Sequence, residues 1–159
     1  MNIRLLQKED EIIVQGIMAG HPLEFPSFGI DRYPPRWEQF LQGDDRCVYY
    51  VAASEAGETI GHAGFLFNEA LGLYEIVGVV VSKNHQRLGI GKTLIQTICN
   101  TLQEIGSKQV ILYTLGHIGT ENTLSFYRNI GFEMINYEKD YFTADYHRVT
   151  FVKEIEQTI

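Results

Sequence analysis

The chain has 159 residues, 45% hydrophobic and 21% charged, proportions that are typical of a folded globular protein and exclude a disordered or collagen-like chain. Thirteen Lys and Arg residues against twenty Asp and Glu residues give a net charge of −7, which argues against general binding to the phosphate backbone of nucleic acids. The sequence contains no apolar run of about 18 residues and no signal-peptide pattern at its start. We therefore expect a single cytoplasmic domain over residues 1–159 with no membrane segment.

Metal and disulfide chemistry are not predicted. Cys47 and Cys99 lie 52 positions apart, and neither has a Cys or His neighbour at the spacing of a zinc site. The five histidines show no metal-ligand spacing either. We expect two buried, reduced thiols and no metal.

The first half of the chain predicts a strand, two helices and a hairpin. Ile3 and Leu5 indicate a short strand, and residues 10–18 form a helical pattern. The chain's prolines all fall within residues 21–35, which interrupts regular structure, so the second helix is expected over residues 36–41. Strands over Cys47–Ala53 and residues 59–67 flank a tight turn.

The second half alternates strands with helices. Leu73–Val81 is a strand in which Gly78 marks a bulge, and the apolar spacing of Ile90–Ile105 predicts an amphipathic helix that ends at Gly106. A strand at 109–115, a helix capped by Thr120, and strands at 133–137 and 146–152 complete the chain. The predicted order, roughly β-α-α-β-β-β-α-β-α-β-β, describes a mixed α/β sheet.

The junction between the third long strand and the following helix predicts an anion site. Residues 76–103 contain no Asp or Glu, whereas Lys83, Arg87 and Lys92 lie within them. Two glycines, Gly89 and Gly91, allow backbone N–H groups to approach an anion at the positive end of the helix.

The spacing of the glycines distinguishes the known classes of phosphate-binding loop. A P-loop requires glycine at position 86, where the chain has Gln86, and a dinucleotide fingerprint requires glycine at position 94, where it has Leu94. The remaining pattern is Gln-x-x-Gly-x-Gly, formed by Gln86, Gly89 and Gly91.

This pattern resembles the acyl-coenzyme A loop of the GNAT family of N-acetyltransferases, which follows a hydrophobic strand and precedes an amphipathic helix. A second segment, residues 122–132, is similar to the family's downstream signature. The resemblance covers residues 73–132 and implies a GNAT-like single domain that uses acetyl-CoA. The residues expected to bind it are Val79, Val80, Val81, Gln86, Arg87, Leu88, Gly89, Ile90, Gly91, Lys92 and Asn122.

Each part of the coenzyme needs its own partner. Backbone N–H groups from Arg87 to Lys92 can hold the pyrophosphate. If the strand separates from its neighbour near Gly78, its freed backbone groups can pair with the pantetheine amides, and an N–H near Val80 can stabilise the oxyanion. The resemblance assigns Asn122 to the pantetheine arm, although an ordinary polar residue in a first helical turn is the alternative.

Two residues are candidates for proton transfer. Glu75 is the candidate base, and strand alternation places it on one face with Val77, Val79 and Val81. Glu75 lies eleven positions before Gln86, and in this placement it resembles the catalytic glutamate of the histone-acetylating branch of the family. Tyr127 occupies the position where the family carries the tyrosine that protonates the leaving thiolate. The alternatives are a solvated strand-end carboxylate and a core aromatic.

The resemblance implies transfer of an acetyl group from acetyl-CoA to a primary amine by direct attack in a ternary complex. A non-catalytic acyl-CoA-binding module and a transferase of longer acyl groups remain alternatives. We expect residues 18–45 and 137–146 to contact a small-molecule or peptide amine, unless these residues only pack or face solvent. The aromatic and acidic side chains that could surround its cation are His21, Phe25, Phe28, Tyr33, Trp37, Phe40, Glu24, Asp31, Asp44 and Asp45. The closing strands could pair in a homodimer.

Overall fold

The computed structural model describes residues 1–116 and 121–157. It contains a seven-stranded sheet and five α-helices. The strands are β1 (Asn2–Leu5), β2 (Cys47–Ala53), β3 (Thr59–Asn68), β4 (Leu73–Val81), β5 (Gln109–Gly116), β6 (Glu133–Thr143) and β7 (Tyr146–Glu154). The helices are α1 (Asp10–Ala19), α2 (Ser27–Ile30), α3 (Tyr33–Leu41), α4 (Ile90–Ile105) and α5 (Glu121–Asn129).

The sheet is mixed, as the sequence predicted. Its strand order is β1-β2-β3-β4-β5-β7-β6, and the neighbours are antiparallel except for β4 and β5, which run parallel. A parallel pair needs a crossover, and α4 supplies it. The junction between β4 and α4 therefore lies in the middle of the sheet, where an anion-binding loop can reach both central strands.

Helices cover both faces of the sheet. On one face, α4 contributes Leu94, Ile98 and Leu102 to a core completed by Phe65 and Phe151. On the other face, α1 and α3 pack their apolar residues against β2 and the end of β4; the fully buried side chains there include Val14, Met18, Trp37 and Tyr49. Burial of these two apolar layers holds the central strands between the helices.

The segment before β2 is more helical than expected. The prediction of two helices before the hairpin was wrong, because a short helix, α2, forms within the proline-containing segment. The expected start of the next helix was also late, since α3 begins at Tyr33 instead of residue 36. Pro34 and Pro35 occupy its first turn, where the missing N–H groups have no intrahelical partner to lose.

The end of the chain forms a longer hairpin than predicted. β6 extends to Thr143, so most of the expected 137–146 loop is a strand paired with β7. Irregular register beyond Glu138 and positive φ angles at Asp140 and Asp145 bend this hairpin. The expected cap at Thr120 lies outside the described residues. Among those residues, no helix is both long and apolar enough to cross a membrane.

Candidate active site

The loop between β4 and α4 presents backbone N–H groups at a helix N-terminus. Arg87 and Gly89 adopt positive φ angles of 65° and 78°, and Gly89 directly precedes α4. The first N–H groups of this 16-residue helix have no intrahelical acceptor, and its first turn contains no acidic residue. The exposed side chains of Arg87 and Lys92 add positive charge. The loop can therefore bind a phosphate group.

A close helix contact sets the position of this loop. A Cβ atom on Gly91 would lie 3.3 Å from Cζ of Phe126, so the first turn of α4 approaches α5 more closely than a larger residue would allow. The family-like segment that begins at Asn122 is thereby brought beside the loop. Asn122 itself is exposed in the first turn of α5.

Strands β4 and β5 pair over only part of their length. Their register joins Tyr74–Ile76 to residues 110–112 and stops there. Val77–Val81 thus has no ladder partner on the β5 side within the described part of the sheet, which confirms that the strand separates from its neighbour near Gly78. The freed N–H and C=O groups of this segment can pair with the backbone-like amides of an extended ligand.

A bulge at Gly78 redirects the end of β4. The β3–β4 register shifts between His62 and Gly64, and Gly78 has a φ of 69°. The expected common face of Glu75, Val77, Val79 and Val81 was therefore wrong. Val79 and Val81 pack toward α4, whereas Val77 and Val80 pack toward α1 and α3, because the extra residue of a bulge reverses the alternation beyond it.

Two buried side chains hold the bulge. Trp37 Nε1 donates a hydrogen bond to His62 Nε2 at 3.0 Å, and His62 Nδ1 lies 2.7 Å from the Gly78 carbonyl oxygen. His62 must therefore carry its proton on Nδ1 and donate it to Gly78. Burial lowers the pKa of His62 to about 4, so the ring is neutral at physiological pH. Sequence reasoning missed the role of His62 in holding the bulge, because no local sequence pattern links Trp37, His62 and Gly78.

A cavity of about 360 Å³ opens where β4 and β5 separate. Glu75 and Tyr127 both line it, as do Val77, Gly78 and Val79 of the bulged strand. The predicted acid and base are thus brought to one cavity from a strand and a helix that are distant in sequence. The loop with Gly89 lies at the other end of the same strand segment, so one extended ligand can reach both.

Glu75 is a half-buried carboxylate at this cavity. Burial raises its pKa above the ordinary value of a glutamate, and the hydrogen bond from Asn68 Nδ2 at 3.2 Å offsets part of the rise. Three arginines offset a further part through their charge; in order of decreasing influence they are Arg36, Arg148 and Arg32. A carboxylate with a raised pKa can accept a proton more readily than an exposed glutamate.

Tyr127 is a buried residue of α5 that lines the same cavity. Its ring packs against Phe132 and Phe151 at centroid distances of 5.7 and 5.6 Å, so the residue also belongs to the core. Burial raises the pKa of its hydroxyl, which keeps the group protonated at physiological pH. The hydroxyl can therefore serve as a proton donor.

Part of the expected acceptor region reaches the cavity. Glu24, Phe25, Phe28, Tyr33 and residues 141–142 line it, whereas Trp37 and Phe40 pack in the core, and Asp31 and Asp44 do not line it. His21 instead bonds to the Val81 carbonyl oxygen at 2.8 Å and fixes the end of β4. Sequence reasoning did not single out the three arginines that line the cavity, Arg32, Arg36 and Arg148. Only the inward register of Arg148 on the predicted last strand could have indicated one of them.

Solved structures share this fold at low sequence identity. A GNAT-family acetyltransferase from Desulfovibrio desulfuricans has a TM-score of 0.84 and 18% identity, with 98% of this chain and 99% of that chain covered. An aminoglycoside 6′-N-acetyltransferase in complex with coenzyme A has a TM-score of 0.74 and 13% identity, with 100% and 99% covered. A spermidine N-acetyltransferase mutant from Vibrio cholerae has a TM-score of 0.73 and 13% identity, with 97% and 95% covered.

The sequence itself carries the family assignment. No curated protein matches the chain at a significant level. The model of the acetyltransferase (GNAT) family matches residues 15–132, well over half of the chain, and this range includes the glycine loop, the bulged strand and the helix with Tyr127. This protein therefore belongs to the GNAT family of acetyltransferases.

Proposed function

We propose that this protein transfers an acetyl group from acetyl-CoA to a primary amine within a ternary complex. The observation that carries the proposal is the shared cavity of Glu75 and Tyr127, which opens along the segment of β4 that is unpaired on the β5 side and that precedes the glycine loop in the chain. The solved aminoglycoside acetyltransferase complex with coenzyme A, which has the same fold, supports the choice of acyl donor.

The residues of the loop and strand fit coenzyme A. Backbone N–H groups of Arg87, Leu88, Gly89, Ile90, Gly91 and Lys92 would hold the pyrophosphate, following the extended backbone of Gln86. Val79, Val80 and Val81 would pair with the pantetheine arm through their backbone, and Asn122 would bond to the same arm from α5. The fit rests on the positive φ of Gly89 and the missing ladder partner of β4.

Two protein groups handle the protons of the reaction. The amine arrives as an ammonium ion with a pKa of about 10, and Glu75 takes one of its protons, directly or through water, so that the nitrogen lone pair becomes free. When bound, acetyl-CoA supplies the thioester whose carbonyl carbon forms the new C–N bond while the C–S bond breaks. Tyr127 donates its hydroxyl proton to the departing sulfur and regains one from the solvent, while the attacking nitrogen loses its second proton to the solvent. The net products are an amide, a thiol and one released proton.

Thiol release in the presence of an amine panel tests the proposal. Acetyl-CoA should raise the melting temperature of the protein, because a ligand that binds only the folded state stabilises it. Thiol should then appear only when an acceptor amine is present, since the attack is direct. Binding without turnover for any amine would favour the non-catalytic alternative, and absence of acetyl-CoA binding would refute the proposal.

A further inference from the structure

The acceptor end of the cavity has an unusual charge arrangement. We propose that the acceptor amine carries an anionic group, a carboxylate or a phosphate, and that Arg32 and Arg36 bind this group. The inference deepens the proposed function and rests on it, because it names the substrate class of the same cavity. An amino acid and a phosphorylated amine both satisfy this chemistry.

Three arginines and two glutamates line the cavity, in a chain whose overall charge is −7. Arg148 is already neutralised: its Nε and a terminal nitrogen each lie 2.8 Å from Glu138 Oε1. Arg32 and Arg36, by contrast, form no ion pair with any residue that the structure describes. Two guanidinium groups thus remain available to a ligand.

Aromatic rings orient these two guanidinium groups. Arg36 lies 5.3 Å from the ring centroid of Tyr33, and Arg32 lies 5.6 Å from that of Phe142. A guanidinium over a ring face still presents its N–H edge, and this planar edge matches a carboxylate or phosphate in a bidentate manner. A guanidinium carries five N–H donors, so stacking on one ring and the contact of Arg36 with the Tyr33 hydroxyl leave further donors free for an anion.

The cavity carboxylates leave these arginines unpaired. Glu75 accepts a hydrogen bond from Asn68, and Glu24 accepts one from Thr123 Oγ1 at 3.2 Å. Neither glutamate lies within ion-pair distance of Arg32 or Arg36 in the described structure, although both arginines act on Glu75 through their charge. This arrangement suits a zwitterionic ligand whose ammonium group faces Glu75 and whose anion faces the arginines.

The same charges disfavour a polyamine. A second ammonium group in the cavity would meet Arg32 or Arg36 without a carboxylate between them, which is like-charge repulsion in a partly enclosed site. The spermidine acetyltransferase of the same fold therefore does not define the acceptor class of this chain.

Matched amines that differ only in the anion test the proposal. The pairs are L-phenylalanine with phenethylamine and O-phosphoethanolamine with ethanolamine; spermidine completes the panel. Two readouts are used: thiol release from acetyl-CoA, and calorimetric binding to the protein saturated with coenzyme A, which needs no turnover. In the phenylalanine pair, the phosphoethanolamine pair or both, the anionic member should be preferred by about tenfold or more, because it alone can form charged hydrogen bonds with the arginines. The phenylalanine pair tests for a carboxylate and the phosphoethanolamine pair tests for a phosphate.

Charge-removing variants locate the anion site. Arg36→Gln and Arg32→Gln should each abolish most of that preference while changing the melting temperature little, since both side chains lie at the cavity surface. Arg46→Gln is the matched control, because Arg46 pairs with Glu69 on the surface and does not line the cavity. The preference of the Arg46→Gln variant for the anionic amine should equal that of the wild type.

The outcomes separate this inference from the proposed function. Preference for phenethylamine, ethanolamine or spermidine, loss of the preference in Arg46→Gln alone, or binding of no anionic member of the panel would overturn the inference. If amines without an anion are acetylated, the proposed function stands while the inference fails. If anionic amines bind through Arg36 but no thiol is released, the anion site stands while the proposed function fails.

Discussion

Trp37 in α3 and His62 in β3 form a buried hydrogen bond of 3.0 Å that determines which nitrogen of the histidine is protonated. Because Trp37 can only donate, His62 Nδ1 carries the proton and donates it to the carbonyl oxygen of Gly78 in β4. A side chain on one face of the sheet thereby stabilises the bulge at which β4 leaves β5.

Trp37→Phe should destabilise the fold and weaken cofactor binding. The substitution leaves His62 Nε2 buried without a donor and removes ring volume from the core, which together cost about 2–4 kcal/mol. Urea unfolding measures this loss, and the KM for acetyl-CoA should rise because the bulge is held less firmly. Tyr50→Phe, which removes a half-buried hydrogen bond to Thr101, is the control and should cost less. An unchanged KM would show that the bulge does not depend on Trp37.

Gly78→Ala and Gly89→Ala should separate steric overlap from backbone strain. Both glycines have positive φ, 69° and 78°, which costs an alanine about 1–2 kcal/mol. A Cβ atom on Gly78 would additionally lie 2.8 Å from His62 Cε1 and from Tyr33 Cε1, whereas one on Gly89 meets open space. Chemical denaturation should therefore show a loss of about 3 kcal/mol or more for Gly78→Ala and less for Gly89→Ala. Equal losses would contradict the role of the close packing.

Glu75→Gln should flatten the low-pH limb of the rate profile. The base acts in its ionised form, so kcat/KM of the wild type rises as pH passes upward through the raised pKa of Glu75. The variant lacks this titration and should lose about 10²-fold or more in rate. Glu24→Gln, which changes the other cavity carboxylate, is the control and should retain the limb. An unchanged profile in Glu75→Gln would remove this residue from the mechanism.

Tyr127→Phe should reduce kcat while leaving the fold intact. The variant keeps the ring that packs against Phe132 and Phe151 and removes only the hydroxyl, so unfolding by urea should change by less than about 1 kcal/mol. Turnover should fall about 10²-fold, because the thiolate then leaves without a proton donor. Tyr113→Phe, a second tyrosine of the cavity, should retain activity. Full turnover of Tyr127→Phe would assign the proton to another group or to water.

Asp10→Asn should make the free energy of unfolding less dependent on pH in the acidic range. Burial alone would raise the pKa of Asp10, but hydrogen bonds from Arg4 (2.8 and 3.0 Å), the Gln7 amide and Thr59 outweigh it and lower the pKa. Because the pKa of Asp10 is lower in the folded state, its ionised form stabilises the fold at pH values above the unfolded pKa of about 4. This stabilisation is lost as the pH falls through the folded-state pKa.

The substitution should therefore cost about 3 kcal/mol at pH 7 and progressively less below about pH 4. Urea unfolding at several pH values measures the difference. Glu9→Gln, at the exposed neighbouring position, should change stability by less than about 0.5 kcal/mol. A difference between Asp10→Asn and wild type that stays constant with pH would contradict the ion pair with Arg4.

Local patterns in the sequence were sufficient for the central elements and for the family. The bounds of Leu73–Val81 and Ile90–Ile105 were predicted as observed, because a segment rich in Val and Ile and a helical apolar spacing each favour one conformation. The glycine loop was recognisable for the same reason, since its chemistry lies in consecutive residues. The family match over residues 15–132 agrees with this interpretation.

Only the tertiary structure determined the contacts between segments that are distant in the sequence. Gly78 indicated a bulge, but only the register with β3 shows that Glu75 faces away from Val79 and Val81. Likewise, Arg32, Arg36 and Arg148 reach one cavity only because α3 and the β6–β7 hairpin pack around the gap between β4 and β5. Such contacts depend on register and packing over long sequence separations, which hydrophobic periodicity does not encode.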